Sequence, residues 1–219
     1  MKGFTVKKTN WNSNNLKALV FDFDGTLLDS FAAHYDVFEI MFARFNITMD
    51  RQRFLDSYSP NWYKTYEGMG LPQKDWKAAD QIWLKEVENQ EPNLFAGVPD
   101  TLRKLNESRA IGLVTSGSKN RVVKDLERTG IGSLFKVIVT GDDIKRPKPS
   151  PEGLDVAIRQ LNVQPEETAY IGDANADYEM SLASGVHFIG VRSAYDSFKN
   201  SNSFVCLESV NELPELIGL

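Results

Sequence analysis

Short apolar runs and longer segments of helical spacing alternate along the second half of the chain. Four runs predict buried strands, and they lie at residues 111–115, 135–140, 168–173 and 186–191. Three segments between these runs carry apolar residues at helical spacing, and they lie at residues 118–130, 151–161 and 176–185. Regular alternation of strand and helix predicts a parallel sheet covered by helices, with ligands at the carboxyl ends of the strands.

Residues 20–23 predict an earlier strand, and a long insertion separates this strand from the next one. Asp22 and Thr115, which close the two strands, are much farther apart in the chain than one crossover requires. Two stripes in the insertion have helical spacing, and they are formed by Phe31, Tyr35, Phe38, Phe42 and Phe45 and by Trp76, Ala79, Trp83 and Val87. We interpret both stripes as the packed interior of a small helical unit. Residues 57–72, between the stripes, are rich in turn formers and predict a loop.

Composition and charge narrow the class of protein. A length of 219 residues with 42% hydrophobic content fits one elaborated domain or two small ones. The net charge of −5 argues against a nucleic-acid partner, and the one basic cluster, residues 145–150, contains two prolines that disfavour a groove-binding helix. The single cysteine, Cys206, cannot form an internal disulfide, and no segment resembles a secretory signal or a membrane span. We therefore expect a cytoplasmic protein with no membrane partner.

The sequence VFDFDGTLLDS at residues 20–30 ends a predicted buried strand in two carboxylates. Asp22 and Asp24 point the same way from a strand unless the chain has begun to turn, so two like charges would meet. A turn explains one aspartate and Gly25, but not the pair of aspartates or the threonine that follows. A chemical role therefore explains the pair of aspartates better than a turn does.

Three further polar elements follow the later predicted strands. They are Thr115 with Ser116, Lys148 in RPKPSP, and Asp173 with Asp177 in IGDANAD. Each has an ordinary explanation when taken alone, as a turn hydrogen bond, a surface charge or a helix cap.

In this order, the four elements resemble the motifs of the haloacid dehalogenase superfamily of hydrolases. The first motif, DxDGT followed by LLDS, is the most specific, and the resemblance extends from about Lys17 to the last strands. It implies an α/β fold, in which helices flank a Rossmann-like parallel sheet and an all-helical cap is inserted after the first motif. The implied domains are a catalytic core at residues 1–29 and 96–219 and a cap at residues 30–95.

The resemblance also implies a role for each matching residue. Asp22 is the implied nucleophile that becomes an aspartyl phosphate, and Asp24 is the implied general acid and base. The residues implied to bind the substrate phosphate are Thr115, Ser116, Gly117 and Lys148. Both Thr115 and Ser116 are competent hydroxyl donors, and we favour Thr115 because it closes the strand.

Mg²⁺ is the implied cofactor, because two carboxylates that face a phosphate dianion require a cation. The implied ligands are Asp22, the backbone carbonyl of Asp24, and Asp173. Asp177 is implied to support the metal ligands without binding the ion itself.

The implied function is that of a phosphatase acting on a small phosphorylated metabolite. Asp24 argues against a dehalogenase, because dehalogenases of the superfamily lack this second aspartate. A sugar-phosphate mutase and an inorganic pyrophosphatase stay open, and a non-catalytic binding protein is disfavoured because every core position holds a competent residue. The substrate stays open among phosphoglycolate, sugar phosphates, nucleoside monophosphates and pyrophosphate, and the sequence does not reveal the oligomeric state. Lys64 is a candidate contact for a carboxylate or second phosphate on the leaving group.

Overall fold

The computed structural model describes residues 15–59, 61–194, 198 and 203–219. Within these residues, six parallel strands form one sheet in the order β3-β2-β1-β4-β5-β6. The strands are β1 (Ala18–Phe21), β2 (Ala110–Val114), β3 (Val137–Val139), β4 (Thr168–Gly172), β5 (His187–Val191) and β6 (Val205–Leu207). This is the strand order of the doubly wound Rossmann fold, which confirms the predicted fold class.

Helices cover both faces of the sheet. Successive strand residues point to opposite sides, and the strands carry apolar residues on both sides, so each face needs a covering layer. The covering helices are α5 (Val98–Asn106), α6 (Lys119–Thr129), α7 (Glu152–Leu161), α8 (Asn175–Ser184) and α9 (Leu213–Leu216). Leu19 and Phe21 of β1 belong to the cluster that contains α5, α6 and α9. Val20 belongs to the opposite cluster, with α7 and α8. The central strand is therefore buried from both sides, which fixes the position of its carboxyl end.

Within the described residues, the insertion after β1 contains four α-helices with their own hydrophobic cluster. These helices are α1 (Phe31–Ala43), α2 (Arg51–Ser57), α3 (Trp62–Met69) and α4 (Trp76–Val87). Every residue of the two aromatic stripes lies in this cluster or packs against it. The interpretation of the stripes as packed interior is therefore confirmed.

The prediction that residues 57–72 form a loop is wrong, because the segment contains α3. The Asn61 side chain accepts a hydrogen bond from the Tyr63 N–H at the start of this helix. Gly70, at φ 84°, ends it in the left-handed region. Tyr66 and Met69 are buried in the cluster, so tertiary packing stabilises a helix that the turn formers obscure.

Two connections between the helical insertion and the sheet run side by side. Asp29 N–H donates to Asn93 O at 2.8 Å, and Phe95 N–H donates to Leu27 O at 3.0 Å. This antiparallel pairing lies next to residues 30 and 95, where the predicted boundaries between core and cap fall. The boundaries themselves stay a prediction.

The sequence pattern does not predict α2, α5, β6 or α9. Cys206 lies on β6, and its side chain is half-buried. In the part of the chain that the structure describes, no helix has the length and apolar character needed to cross a membrane.

Candidate active site

The predicted polar residues meet at the carboxyl edge of the sheet. Asp22 follows β1 and donates its backbone N–H to Ile171 O of β4 at 2.8 Å. Thr115 follows β2 and Asp173 follows β4, and these are the two strands that flank β1. Asp22, Thr115 and Asp173 are all buried, so the sheet places them together away from bulk solvent.

Gly25 and Thr26 position Asp173 from the turn after β1. Gly25 has φ +78°, and a Cβ on this residue would lie 2.3 Å from Asp173 Oδ2. Thr26 Oγ1 donates to Asp173 Oδ1 at 3.0 Å. The Gly-Thr pair of the DxDGT sequence therefore gives Asp173 both its space and a hydrogen bond.

Lys148 is buried among carboxylates, although a lysine in a proline-rich loop is usually exposed. Its Nζ lies 2.8 Å from Asp22 Oδ1 and 2.8 Å from Asp177 Oδ1. It also donates to the Tyr170 hydroxyl at 2.7 Å, and this hydroxyl donates to Val114 O at 2.9 Å. Asp177 Oδ2 accepts from Ala174 N–H at 3.0 Å, so Asp177 caps α8 as well as holding the lysine.

The electrostatic environments of Asp22 and Lys148 depend on each other. Burial raises the pKa of Asp22 well above 3.8, and the Asp177 and Asp173 carboxylates act in the same direction, while Lys148 opposes them. Burial lowers the pKa of Lys148, but Asp177 and Asp22 outweigh this effect and leave the pKa above 10.5. Lys148 therefore stays charged beside the predicted nucleophile.

Asp24 is held by Arg121, a residue outside the four sequence motifs. Arg121 Nη1 donates to Asp24 Oδ1 at 3.0 Å, and Nη2 donates to Oδ2. His34 Nε2 lies 3.6 Å from Asp24 Oδ1. Burial acts to raise the pKa of Asp24, but Arg121 and His34 outweigh it and bring the pKa to about 2. Burial lowers the pKa of His34 to about 4, against the attraction of Asp24.

Arg121 connects Asp24 to a second ion-pair network. Its Nη1 lies 3.4 Å from Asp125 Oδ2, one turn later in α6. Asp125 Oδ1 accepts from Arg128 Nη2 at 2.9 Å, and Nη2 also donates to Pro92 O in the connection that leads from α4 to α5. The network therefore runs from the candidate general acid to the base of the helical insertion.

The predicted phosphate-binding loop has an internal hydrogen bond. Gly117 N–H donates to Thr115 Oγ1 at 3.1 Å, which occupies the amide expected to bind phosphate. The same bond uses Thr115 Oγ1 as acceptor and leaves its proton for donation, which suits the proposed role of Thr115. Ser116 is half-buried, and the assignment of Ser116 and Gly117 to phosphate stays a prediction.

Three carboxylates at the sheet edge fit a hard cation. One oxygen each of Asp22, Asp173 and Asp177 can be chosen so that all lie within 4.8 Å of one another. Lys148 and Ala174 N–H each hold one oxygen of Asp177, so this residue fits a supporting position better than a ligand position. Lys148 holds only Oδ1 of Asp22. Oxygen donors of this kind suit Mg²⁺, and the assignment of Asp22, Asp173 and the Asp24 carbonyl as ligands stays a prediction.

A narrow cleft of about 60 Å³ separates the helical insertion from the sheet edge. The cleft is lined from the sheet side by Asp22, Asp24, Thr115, Ser116, Gly117, Ser118 and Arg121, and from the insertion by His34, Phe38, Tyr58, Ser59, Trp62 and Trp83. Phe38 and Trp83 thus serve both the cluster of the insertion and the wall of the cleft.

Lys64 is exposed on α3 and lines a neighbouring cavity. This second cavity also includes Lys148 and Asn175, and it shares Tyr58 and Ser59 with the first. The proposed contact between Lys64 and substrate stays a prediction, since Lys64 does not line the cleft that contains Asp24.

Sequence reasoning misses Arg121, His34 and Tyr170. Arg121 carries a usable signal, because a cation in the first turn of a helix is unfavourable near the positive end of the helix dipole and so requires a local anion. Tyr170 carries a second signal, since a tyrosine inside an apolar strand needs a partner for its hydroxyl.

The fold and the site define an α/β protein with a cluster of buried carboxylates at the edge of a parallel sheet. The family model of the haloacid dehalogenase-like hydrolases matches residues 19–191. The chain therefore belongs to the haloacid dehalogenase-like hydrolase family, as the four motifs imply.

Relatives match nearly the whole chain at modest identity. Pyrophosphatase PpaX of Oceanobacillus iheyensis is 26% identical over 210 residues, which cover 93% of this chain and 98% of that protein. Phosphoglycolate phosphatase of Salmonella choleraesuis is 27% identical over 236 aligned positions, covering 94% of each chain. The crystal structure of a Bacteroides fragilis protein described as haloacid dehalogenase-like has a TM-score of 0.81 at 26% identity, covering 90% of this chain and 99% of that one.

Proposed function

We propose that this protein is a Mg²⁺-dependent phosphatase that hydrolyses the phosphate monoester of a small cytoplasmic metabolite. In this proposal, Asp22 is the nucleophile, Asp24 is the general acid and base, and residues 30–95 form a cap over the core at residues 1–29 and 96–219. Thr115, Ser116, Gly117 and Lys148 bind the phosphoryl group.

The observation that carries the proposal is the placement of Asp22. Its carboxylate lies at the end of the central strand, with Lys148 Nζ 2.8 Å from one oxygen and the carboxylate of Asp173 nearby. A buried ammonium at this distance offsets the charge of both a nucleophilic carboxylate and an incoming phosphoryl group.

The chemistry divides into two displacements at phosphorus. An oxygen of Asp22 attacks phosphorus, the bond from phosphorus to the ester oxygen breaks, and Asp24 donates a proton to the departing alkoxide. Asp24 then accepts a proton from water as this water attacks the phosphoaspartate, and the bond from phosphorus to Asp22 breaks to give inorganic phosphate. A Mg²⁺ ion held by Asp22, Asp173 and the Asp24 carbonyl would supply positive charge that offsets the phosphate dianion.

The relatives support phosphoryl chemistry and leave the leaving group open. One relative is named as a pyrophosphatase and another as a phosphoglycolate phosphatase, so pyrophosphate is the second candidate substrate. A sugar-phosphate mutase would use the same core residues.

Phosphate release from p-nitrophenyl phosphate tests the proposal. The wild-type protein should release phosphate with added Mg²⁺ and lose this activity in excess EDTA. Mass spectrometry of acid-quenched enzyme should find phosphate on Asp22. Asp22→Asn, which is nearly isosteric, should abolish turnover while its circular dichroism spectrum stays that of the wild type. Full activity in EDTA or in Asp22→Asn would refute the proposal.

A further inference from the structure

The composition of the cleft over Asp22 and Asp24 indicates what kind of leaving group it accepts. In the proposed reaction, the leaving group lies beside Asp24, because Asp24 delivers its proton. The cleft walls near Asp24 therefore contact the part of the substrate that distinguishes one metabolite from another.

The cleft has no uncommitted cation for a second negative charge. Arg121 is the only arginine or lysine among the described residues that line it. Both terminal nitrogens of Arg121 bind Asp24, and Nη1 also approaches Asp125, which is buried. Asp22 and Asp24 add two carboxylates to the same cleft, so an anionic leaving group would meet like charges without a free counter-ion.

The wall that the insertion contributes is aromatic. The ring centroids of Trp62 and Trp83 lie 4.1 Å apart, and those of Phe38 and Trp83 lie 5.8 Å apart. Aromatic faces of this kind stack against the apolar face of a neutral ligand and do not replace the hydration shell of an anion.

One donor in this wall has no acceptor within the described residues. Trp83 is 3% exposed, and its indole Nε1–H has no hydrogen-bond partner there. A buried donor without an acceptor is costly, and a hydroxyl oxygen of a ligand would satisfy it. The space of about 60 Å³ suits a compact ligand, since it corresponds to roughly four to six ordered waters.

We propose that this cleft binds an uncharged leaving group that carries hydroxyl groups, so that the preferred substrate is the phosphate monoester of a small polyol or sugar. This inference rests on the proposed phosphatase function and names its substrate class. It places phosphoglycolate and pyrophosphate, whose leaving groups are anionic, among the poor substrates.

Three matched esters separate charge from hydroxyl content. Glycerol 3-phosphate, 3-phosphoglycerate and propyl phosphate have the same number of carbon atoms. The second has a carboxylate in place of the terminal hydroxymethyl group and keeps one free hydroxyl, and the third lacks both free hydroxyls. With Mg²⁺, we expect kcat/KM for glycerol 3-phosphate to exceed that for 3-phosphoglycerate by about tenfold or more, because like charges are juxtaposed in the second case. We expect an advantage of about 2- to 10-fold over propyl phosphate, the effect of one hydrogen bond.

Each result of this comparison decides the inference. Equal or higher kcat/KM for 3-phosphoglycerate, phosphoglycolate or pyrophosphate would overturn it while p-nitrophenyl phosphate hydrolysis still supports a phosphatase. Equal values for propyl phosphate would overturn the role of the hydroxyl groups. Failure to hydrolyse p-nitrophenyl phosphate as well would overturn the phosphatase function, and the inference with it.

Trp83→Phe tests the donor directly, because it removes the indole N–H and keeps an aromatic ring. The ratio of kcat/KM for glycerol 3-phosphate to that for p-nitrophenyl phosphate should fall by about 2- to 10-fold. Trp76→Phe is the matched control, since Trp76 Nε1 already donates to Leu71 O at 3.0 Å and Trp76 lies outside the cleft lining. An unchanged ratio in Trp83→Phe, or an equal fall in Trp76→Phe, would overturn the assignment of Trp83.

Discussion

The ion pair between Asp24 and Arg121 should make folding stability depend on pH in a specific way. Arg121 holds both oxygens of Asp24, and the Asp24 side chain is only 21% exposed. Replacing Asp24 by Asn removes the titrating group while keeping its shape. The comparison of wild type and Asp24→Asn across pH therefore isolates the contribution of this carboxylate.

The magnitude follows from the pKa of Asp24, which the folded protein lowers from 3.8 to about 2. One pKa unit corresponds to about 1.4 kcal/mol, so the ionised carboxylate stabilises the folded state by about 2 kcal/mol relative to its protonated form. Because the folded pKa is depressed, this contribution is fully present above the unfolded value of 3.8. It is lost as the pH falls from about 4 towards 2, and about 1 kcal/mol should be lost by about pH 3.

Urea unfolding between about pH 6 and pH 3, with EDTA to remove metal, measures the effect. The difference in unfolding free energy between wild type and Asp24→Asn should shrink by about 1 kcal/mol over this range. In an Arg121→Gln background, the same comparison should lose or reverse this trend, because the cation that lowers the pKa is gone. A difference that stays constant with pH in the presence of Arg121 would show that the ion pair does not form in solution.

Three further predictions test the supports of the site. Gly25→Ala places a Cβ 2.3 Å from Asp173 Oδ2 at a φ of +78°. We therefore expect urea melts to show a loss of about 1 to 3 kcal/mol of stability, together with a strong fall in kcat. Wild-type values for both quantities would contradict this geometry. Tyr170→Phe removes the hydroxyl that joins Lys148 to Val114 O. We expect the same assay to show about 1 to 3 kcal/mol of destabilisation. No change in stability would mean that water replaces the hydroxyl. Asp173→Ala should raise the Mg²⁺ concentration needed for half-maximal activity, and a magnesium titration that matches wild type would remove Asp173 from the metal site.

The residues gathered at the carboxyl edge of the sheet are predictable because their signals are local. Each strand is a short apolar run, and in a parallel sheet the residue that follows such a run lies at the same edge as the others. Asp22, Thr115 and Asp173 could therefore be placed together without knowledge of the strand order. Lys148 needed the family resemblance, since nothing in its proline-rich loop predicts burial.

The partner of Asp24 could not be predicted in the same way. Arg121 is 97 residues from Asp24 in the chain, and the contact exists only because β2 pairs with β1 and α6 starts at the same edge. The sequence does not predict α3 for a related reason, since the packing of α3 against other helices outweighs a local composition typical of turns. Residues whose role depends on a distant partner leave weak signals in a single sequence.

The aromatic residues of the insertion show a different limit. Their helical spacing predicts burial, and Phe38 and Trp83 are buried. Spacing does not distinguish a side chain enclosed by its own cluster from one at the boundary of a cleft, because both are apolar and both lie on the inner helix face. Only the position of the insertion over the sheet edge assigns these residues to the cleft.

The two aspartates of the first motif have proton affinities opposite to those that their proposed roles require. Asp22 must be ionised to attack phosphorus, yet burial raises its pKa well above 3.8. Asp24 must carry a proton for the leaving group, yet Arg121 and His34 outweigh burial and bring its pKa to about 2. A bound divalent cation favours the ionised form of Asp22, and a phosphate dianion beside Asp24 favours the protonated form of Asp24. We therefore expect the catalytic protonation states of both aspartates to arise only in the complex with metal and substrate.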